Sequence, residues 1–298
     1  MFDGSAKSSN GLSIHDILRV GSIVQQDLYS IVLRFRNHQV CFTAYIAKMY
    51  RQINIHQQDH GLQRKLWRYS SEEPIEKYKL TTVAYGTSSA PYLATRILRK
   101  LGDDNKCQYQ RAAQTLSNNF YVGDLLSGTS NTEGAIKIQR EISSLLHTAG
   151  FTLRKCASNH SAFLDTIPRE LFETQQTLTL DNEYGITTLR LLWYPAADQL
   201  QVKNNTTQVQ PTDSTVSTKR KVLATTASLF DPLGLLSPAF IVYKIFLQKL
   251  CQDKLRCDEL LPTNFQQSLN QLRQGIPKLS QIKINMKASF QCYQPSAT

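Results

Sequence analysis

The sequence predicts an α+β fold, and three observations carry that expectation. Over roughly the first half of the chain, short runs with the alternation or the β-branched and aromatic content of strands alternate with stretches whose apolar residues recur every three or four positions. Their order, strand, helix, strand, hairpin, helix, strand, puts helices on one face of an antiparallel sheet. Glycine and proline punctuate the runs where such residues begin or end elements.

Taken in order, residues 13–35 space Ile14, Ile17, Leu18, Val24, Leu28, Ile31, Val32 and Phe35 at helical intervals around Gly21 and Ser22, which predicts two helices joined by a turn. Residues 40–46 read as a strand and 47–53 as a short helical turn. Residues 64–69 and 78–85 have strand composition. Residues 87–101 are amphipathic, with Tyr92, Ile97, Leu98 and Leu101 on one face and Pro91 in the opening turns. Residues 120–127 form a β-hairpin turning at Gly123-Asp124. A helix follows over 133–147, carrying Ile136, Ile138, Ile142, Leu145 and Leu146, with Gly150 just beyond its end, and 151–155 return as a strand.

Beyond residue 159 the pattern changes. Residues 187–193 and 200–202 read as two strands, and 203–217 as a polar linker of Asn, Thr, Gln and Ser. Residues 219–250 read as helices interrupted at Asp231-Pro232. The pattern weakens from Leu261, and residues 291–298 are expected to be disordered.

Composition narrows the function classes. A chain of 298 residues holds one large domain or two small ones. Its 34 Lys and Arg against 23 Asp and Glu give a net charge of +11, which fits a polyanionic partner or a merely basic soluble protein. The six cysteines, Cys41, Cys107, Cys156, Cys251, Cys257 and Cys292, form no C-x-x-C pair and no regular framework, so they read as reduced thiols. His56 and His60 stand four apart without the glutamate of a metalloprotease helix and read as a surface loop. The longest apolar stretch, 239–243, is far too short to span a membrane, and the expected location is intracellular, in cytoplasm or nucleus.

Two motifs carry the chemistry. Phe120-Tyr121-Val122-Gly123-Asp124-Leu125-Leu126 resembles the F-Y-V-D-D-L-L hairpin of reverse transcriptases with one aspartate missing. Ala44-Tyr45-Ile46-Ala47-Lys48-Met49-Tyr50-Arg51-Gln52-Ile53 resembles the A-D-I-E-K-M-Y-R-Q-I stretch of BEL/Pao long-terminal-repeat retrotransposons, with Tyr45 where that pattern has its aspartate. Residues 82–94 and the Phe230-Asp231-Pro232-Leu233-Gly234-Leu235 block are similar to the same group, a family often labelled Pao retrotransposon peptidase. Cys156 and Cys257 stand where the pattern has tryptophan.

The resemblance implies a right-hand polymerase palm with partial fingers and a helical thumb. Residues 1–165 would be partial fingers and palm, 166–218 a primer-grip-like hairpin and polar linker, 219–262 a thumb-like helical region, and 263–298 a weakly structured tail. In the primer-grip-like hairpin, Arg190 replaces an expected glycine. The upstream fingers and a ribonuclease H carboxylate cluster would lie outside the chain.

Nucleotidyl transfer in such enzymes uses two Mg²⁺ ions about 3.5–4 Å apart, held by carboxylates from a strand and the neighbouring hairpin. Here Tyr45 and Gly123 occupy two of those three positions and Asp124 alone keeps its acid. The expectation is a reverse transcriptase fragment with no intact metal site, no cofactor and no catalysis, at most binding RNA or DNA primer-template. Asp124 would then be an ordinary turn residue. The alternative is an active reverse transcriptase module of a larger Pao-type polyprotein, with other parts of that polyprotein as partners.

Tyr50, Tyr85 and Gly86 match the nucleotide site, where Tyr50 would pack against the sugar and Gly86 would let backbone approach the nucleotide. A core aromatic and a plain strand-to-helix connection are their simpler readings. Lys48, Arg51, Arg64, Lys65 and Arg68, interleaved with Tyr50, Trp67 and Tyr69, suit a backbone-tracking groove with stacking platforms, or a solvated charged face. No D-T-G or D-S-G triplet occurs, so no aspartic peptidase site is expected.

Overall fold

The computed structural model describes residues 4–172, 185–189, 191–202, 217–228, 231–279 and 281–286. Of the linker expected over 203–217, residues 203–216 lie outside the described residues, as do the tail at 291–298 and Arg190. The chain divides into two compact units, Met1–Thr179 and Leu180–Thr298.

The first unit opens with α1 (Ile14–Ile17), a single turn closed by a capping box between Ser13 and Asp16, and α2 (Leu28–Arg36), capped by Asp27. The first expected helix is therefore one turn long. Strand β1 (Val40–Ile46) and a 3₁₀ turn (Met49–Gln52) fall where the sequence puts them. Strands β2 (Arg64–Trp67) and β3 (Glu76–Lys79) pair as a separate hairpin, and β3 stops well short of Tyr85. Helix α3 (Ala90–Asn105) has Pro91 in its first turn.

Helix α4 (Gln110–Asn118) has no counterpart in the sequence reading, because among the side chains it buries, Ala112, Ala113, Thr115 and Leu116, only Leu116 is a large apolar residue and one such residue marks no stripe. Strands β4 (Phe120–Tyr121) and β5 (Asp124–Thr129) form the hairpin. Helix α5 (Thr132–Thr148), strand β6 (Leu153–Ser158) and the short α6 (Ser161–Leu164) complete the unit. Gly150, at φ +75°, ends α5 as expected. Residues beyond 165, assigned from sequence to a second segment, turn back to this sheet through a bridge between Phe172 and Cys156.

The sheet runs β4-β5-β1-β6, antiparallel throughout. Because side chains alternate, Phe42, Ala44 and Ile46 share one core with Leu98, Leu116, Ile142 and Leu145, from α3, α4 and α5. Phe42 stacks on Phe163, ring centroids 4.9 Å apart. Cys41, on the other face, donates its thiol to the Phe35 carbonyl at 3.4 Å. Helix α2 lies along β4 and β5 with Ile31, Val32 and Phe35 buried, so helices cover both faces rather than one. The reason lies in β1, whose odd-numbered side chains Cys41 and Thr43 are as buried as their neighbours and demand a cover.

The second unit begins with β7 (Ile186–Thr188), β8 (Leu191–Tyr194) and β9 (Gln199–Val202). The single strand expected over 187–193 is broken at Leu189, which adopts φ +49°. Helices α7 (Lys219–Ser228) and α8 (Ser237–Gln252) flank the Asp231-Pro232 interruption, where the Asp231 carboxylate accepts from Leu236 N at 2.6 Å. Helix α9 (Thr263–Leu279) and β10 (Lys283–Asn285) stand where a weakly structured tail was expected. Leu261 and Leu269 are buried with Val222, Phe246 and Leu250, and that apolar cluster orders the segment. The sheet order is β10-β9-β8-β7, again antiparallel. Among the described residues no helix is long and apolar enough to cross a membrane.

One glycine shows how tightly the first unit is packed. Gly102 is buried inside α3, where glycine costs about 1 kcal/mol relative to alanine. A Cβ there would lie 3.1 Å from the Ala113 carbonyl oxygen of α4, so glycine lets the two helices approach. Gly102→Val should lower unfolding free energy by about 1–3 kcal/mol, read from a denaturant midpoint that shifts without a change in slope.

Candidate nucleotide and nucleic-acid site

The pairing of β1 with β5 sets Tyr45 directly opposite Asp124. The hairpin turn is Val122-Gly123, not Gly123-Asp124, because Tyr121 already pairs with Asp124. Asp124 is thus the first residue of a central strand rather than a turn residue. Val122 adopts φ +55°, a left-handed conformation that costs a β-branched residue roughly 1–3 kcal/mol. Two bonds hold the turn there. Val122 N donates to Gln25 Oε1 at 2.8 Å, and Ile46 N donates to Gly123 O at 2.9 Å.

Gly123 faces the Tyr45 ring. A Cβ at 123 would stand 3.1 Å from Tyr45 Cε2 and 3.6 Å from Met49 Sδ. The two residues that replace acids in the resembled motif therefore pack against each other. In β6 the pairing with β1 slips by one residue between Thr43 and Tyr45, and Lys155, at φ +56°, is the extra residue of that bulge.

Burial raises the Asp124 carboxyl to about 6, against the opposing pull of Lys155. Burial also raises the Tyr45 phenol, reinforced by Tyr85 and Asp124, and Lys155 again opposes. Tyr50 is raised by burial, then by Tyr45 and Tyr85. Tyr50 and Tyr85 meet edge to face with centroids 4.9 Å apart, and the Arg51 guanidinium lies 5.9 Å from the Tyr85 centroid. Gly86 follows at φ +89°, its carbonyl accepting from His15 Nε2 at 2.7 Å.

Tyr45, Gly123, Asp124, Tyr50, Tyr85 and Arg51 are thus brought together, with Gly86 beside them. Sequence reasoning missed Gln25 and Lys155, because long-range backbone contacts and bulges leave no local signature. One carboxylate beside a tyrosine ring does not fit a pair of divalent ions, which needs several oxygen ligands in common. Among the described residues no group of three or more His, Cys, Asp or Glu side chains is placed to hold a metal.

The basic residues divide between two places. Lys48, at φ +49°, opens the 3₁₀ turn that carries Tyr50 and Arg51. Arg64, Lys65 and Arg68 belong to the β2–β3 hairpin, whose two strands are exposed along their whole length. Lys77 and Lys79, not singled out from sequence, add to them, against Glu72, Glu73 and Glu76. Arg64 sits directly opposite Lys79, a like-charge pair that disfavours the isolated hairpin. Lys65 Nζ lies 4.8 Å over the Trp67 ring, and Trp67 meets Tyr69 edge to face at 6.2 Å. Basic and aromatic side chains are therefore presented together to solvent.

Residues 218–296 match the family model described as the Pao retrotransposon-like RNaseH-like domain. No curated protein matches the chain by sequence. Among solved structures, the foamy viral protease-reverse transcriptase dRH in complex with double-stranded DNA is similar, with a TM-score of 0.56 and 13% identity over 90% of this chain. The foamy viral protease-reverse transcriptase in complex with an RNA/DNA hybrid follows at a TM-score of 0.53 and 13% identity over 89% of this chain. The chain spans 39% and 30% of those two proteins. The likeness shows a shared mixed α/β fold, and with the match over 218–296 it supports a retroelement polyprotein.

The Asp124 environment has a measurable consequence. Its pKa is above that of an unfolded aspartate, so the folded state holds the extra proton and stability falls as pH rises from about 4 through about 6. Asp124→Asn should therefore stabilise the chain by about 1–3 kcal/mol at pH 7.5. The gain should vanish below pH 4, as read from denaturant unfolding at both values.

Proposed function

We propose that the first unit is a palm-type nucleic-acid-binding module of a reverse transcriptase lineage, one that holds primer-template without extending it. The observation that carries this reading is the Tyr45 ring, paired with Asp124 and packed on Gly123, where the resembled enzymes keep their metal-binding acids. A phenol whose pKa is raised by burial stays neutral at pH 7, and it fills the space a carboxylate and its ion would need. Tyr50, Tyr85, Gly86 and Arg51 would still line the place of a nucleotide. The exposed Arg64, Lys65, Arg68, Lys77 and Lys79, with Trp67 and Tyr69, favour a phosphate backbone with stacked bases.

The foamy viral relatives, seen with double-stranded DNA and with an RNA/DNA hybrid, support a duplex as the ligand. An intracellular protein, in cytoplasm or nucleus, would meet such duplexes. For residues 218–296 the RNaseH-like description favours an RNaseH-like module over a thumb, since it embraces α9 and β10. We assign that module no chemistry.

Primer-template affinity should fall steeply with salt. Replacing Arg64, Lys65 and Arg68 by Gln should reduce the logarithmic salt slope by about 2–3. A salt series on both proteins checks this, and a flat response would remove the binding role.

The unaltered chain should show no primer extension with Mg²⁺ or Mn²⁺, and neither Tyr45→Asp nor Gly123→Asp alone should restore it. Gly123→Asp alone should also cost about 1–3 kcal/mol of stability by pressing on the Tyr45 ring, a loss that Tyr45→Asp in the same chain removes. Extension by the unaltered chain that Asp124→Asn abolishes would overturn the inactive reading.

A further inference from the structure

An open cleft of about 390 Å³ lies at the end of β5 remote from Asp124. Five residue steps along β5 put it on the order of 17 Å from that carboxylate. Its lining includes Arg34 of α2, Arg111 of α4, Asn119, Ser127 and Thr129 of β5, and Gly134 of α5, with no acidic residue among all those that line it.

Arg34, Arg111 and Ser127 are the groups that can receive negative charge, since Thr129 Oγ1 already donates to the Asn131 carbonyl at 2.6 Å and Gly134 N to Asn131 Oδ1 at 2.8 Å. Arg34 is splinted across the cleft by donating to the Asn118 carbonyl and, at 3.4 Å, to Asn119 Oδ1. The Arg111 side chain is exposed and makes no hydrogen bond or ion pair among the described residues. Ser127 is only 2% exposed, and its oxygen accepts from Asn119 Nδ2 at 3.2 Å, which leaves its own O–H to donate. Gly134 lies in the first turn of the 17-residue α5, whose positive dipole end adds to the two guanidinium charges. Glu133 is exposed and does not line the cleft, and Asp27 is engaged by Ser30.

We propose that this cleft binds a phosphate group carried on a nucleotide, at a site separate from the one around Asp124. A guanidinium fork held in place at Arg34, a second guanidinium at Arg111 and a buried hydroxyl suit phosphate oxygens, and the volume is that of a small-molecule site. The phosphate would come from a free nucleotide or from a nucleic-acid strand.

The test uses the full chain and inorganic tripolyphosphate without metal. Calorimetric titration should show binding, and hydrogen exchange should show protection in residues 111–119 and 127–134. Arg111→Glu, which loses no internal partner, should weaken that binding about tenfold, and Arg34→Gln should act in the same direction. Unchanged affinity in Arg111→Glu, or protection confined to the β2–β3 hairpin, would overturn the site. Displacement of tripolyphosphate by a short oligothymidylate would identify a strand as the source, and displacement by ATP alone would identify a free nucleotide. Displacement by neither would reject a nucleotide ligand. Gln replacements of Arg64, Lys65 and Arg68 should leave this readout unmoved, so its failure is distinct from failure of primer-template binding on the hairpin.

Discussion

The hydrogen-bonded register of β1 is the constraint from which the rest of the first unit follows. This strand pairs on one side with β5, aligning Tyr45 with Asp124, and on the other with β6, where a one-residue slip throws out Lys155. Because successive side chains point to opposite faces, that register decides which residues meet α3, α4 and α5 and which meet α2. A slip of one position would bring Cys41 and Thr43 into the place of Phe42 and Ala44 and turn the Tyr45 ring away from Gly123. The bulge is what allows both pairings to coexist, and it carries Lys155, whose charge opposes the desolvation of Asp124.

Much of this architecture was legible where local pattern and tertiary demand agree. β1, the 3₁₀ turn after it, α3, α5 with Gly150, and the break at Asp231-Pro232 all follow from periodicity and punctuation. Failures occurred where the signal is weak or nonlocal. Helix α4 buries two alanines, a threonine and a single leucine, α9 is ordered by leucines packing on α7 and α8, and the break at Leu189 depends on a left-handed residue that no glycine announces. At the candidate site, motif resemblance named Tyr45, Gly123, Asp124, Tyr50, Tyr85 and Gly86 as neighbours. It misjudged the turn by one residue, because Gly-Asp is a better turn dipeptide than Val-Gly and only the strand ladder shows which one turns.

The distribution of charge separates two kinds of surface. Around Asp124, ionisation is suppressed, with an aspartate held near 6 and tyrosine phenols pushed further up. On the β2–β3 hairpin nothing is buried, and like charges face each other across the strands. The first surface is organised by packing and tolerates salt, whereas the second is organised by what it meets in solvent and is sensitive to ionic strength.

The contact between Tyr45 and Gly123 also governs how this sequence can change. Installing a side chain at 123 first meets the ring, and replacing the ring by an acid first sets a second carboxylate directly opposite an already desolvated Asp124. Each single step is uphill, and taking both relieves the clash at 123 but gathers three carboxylates at one desolvated site, which only a bound cation offsets. The composition of this centre is therefore locked twice, by the contact between ring and glycine and by the charge that any acid placed there would add beside Asp124.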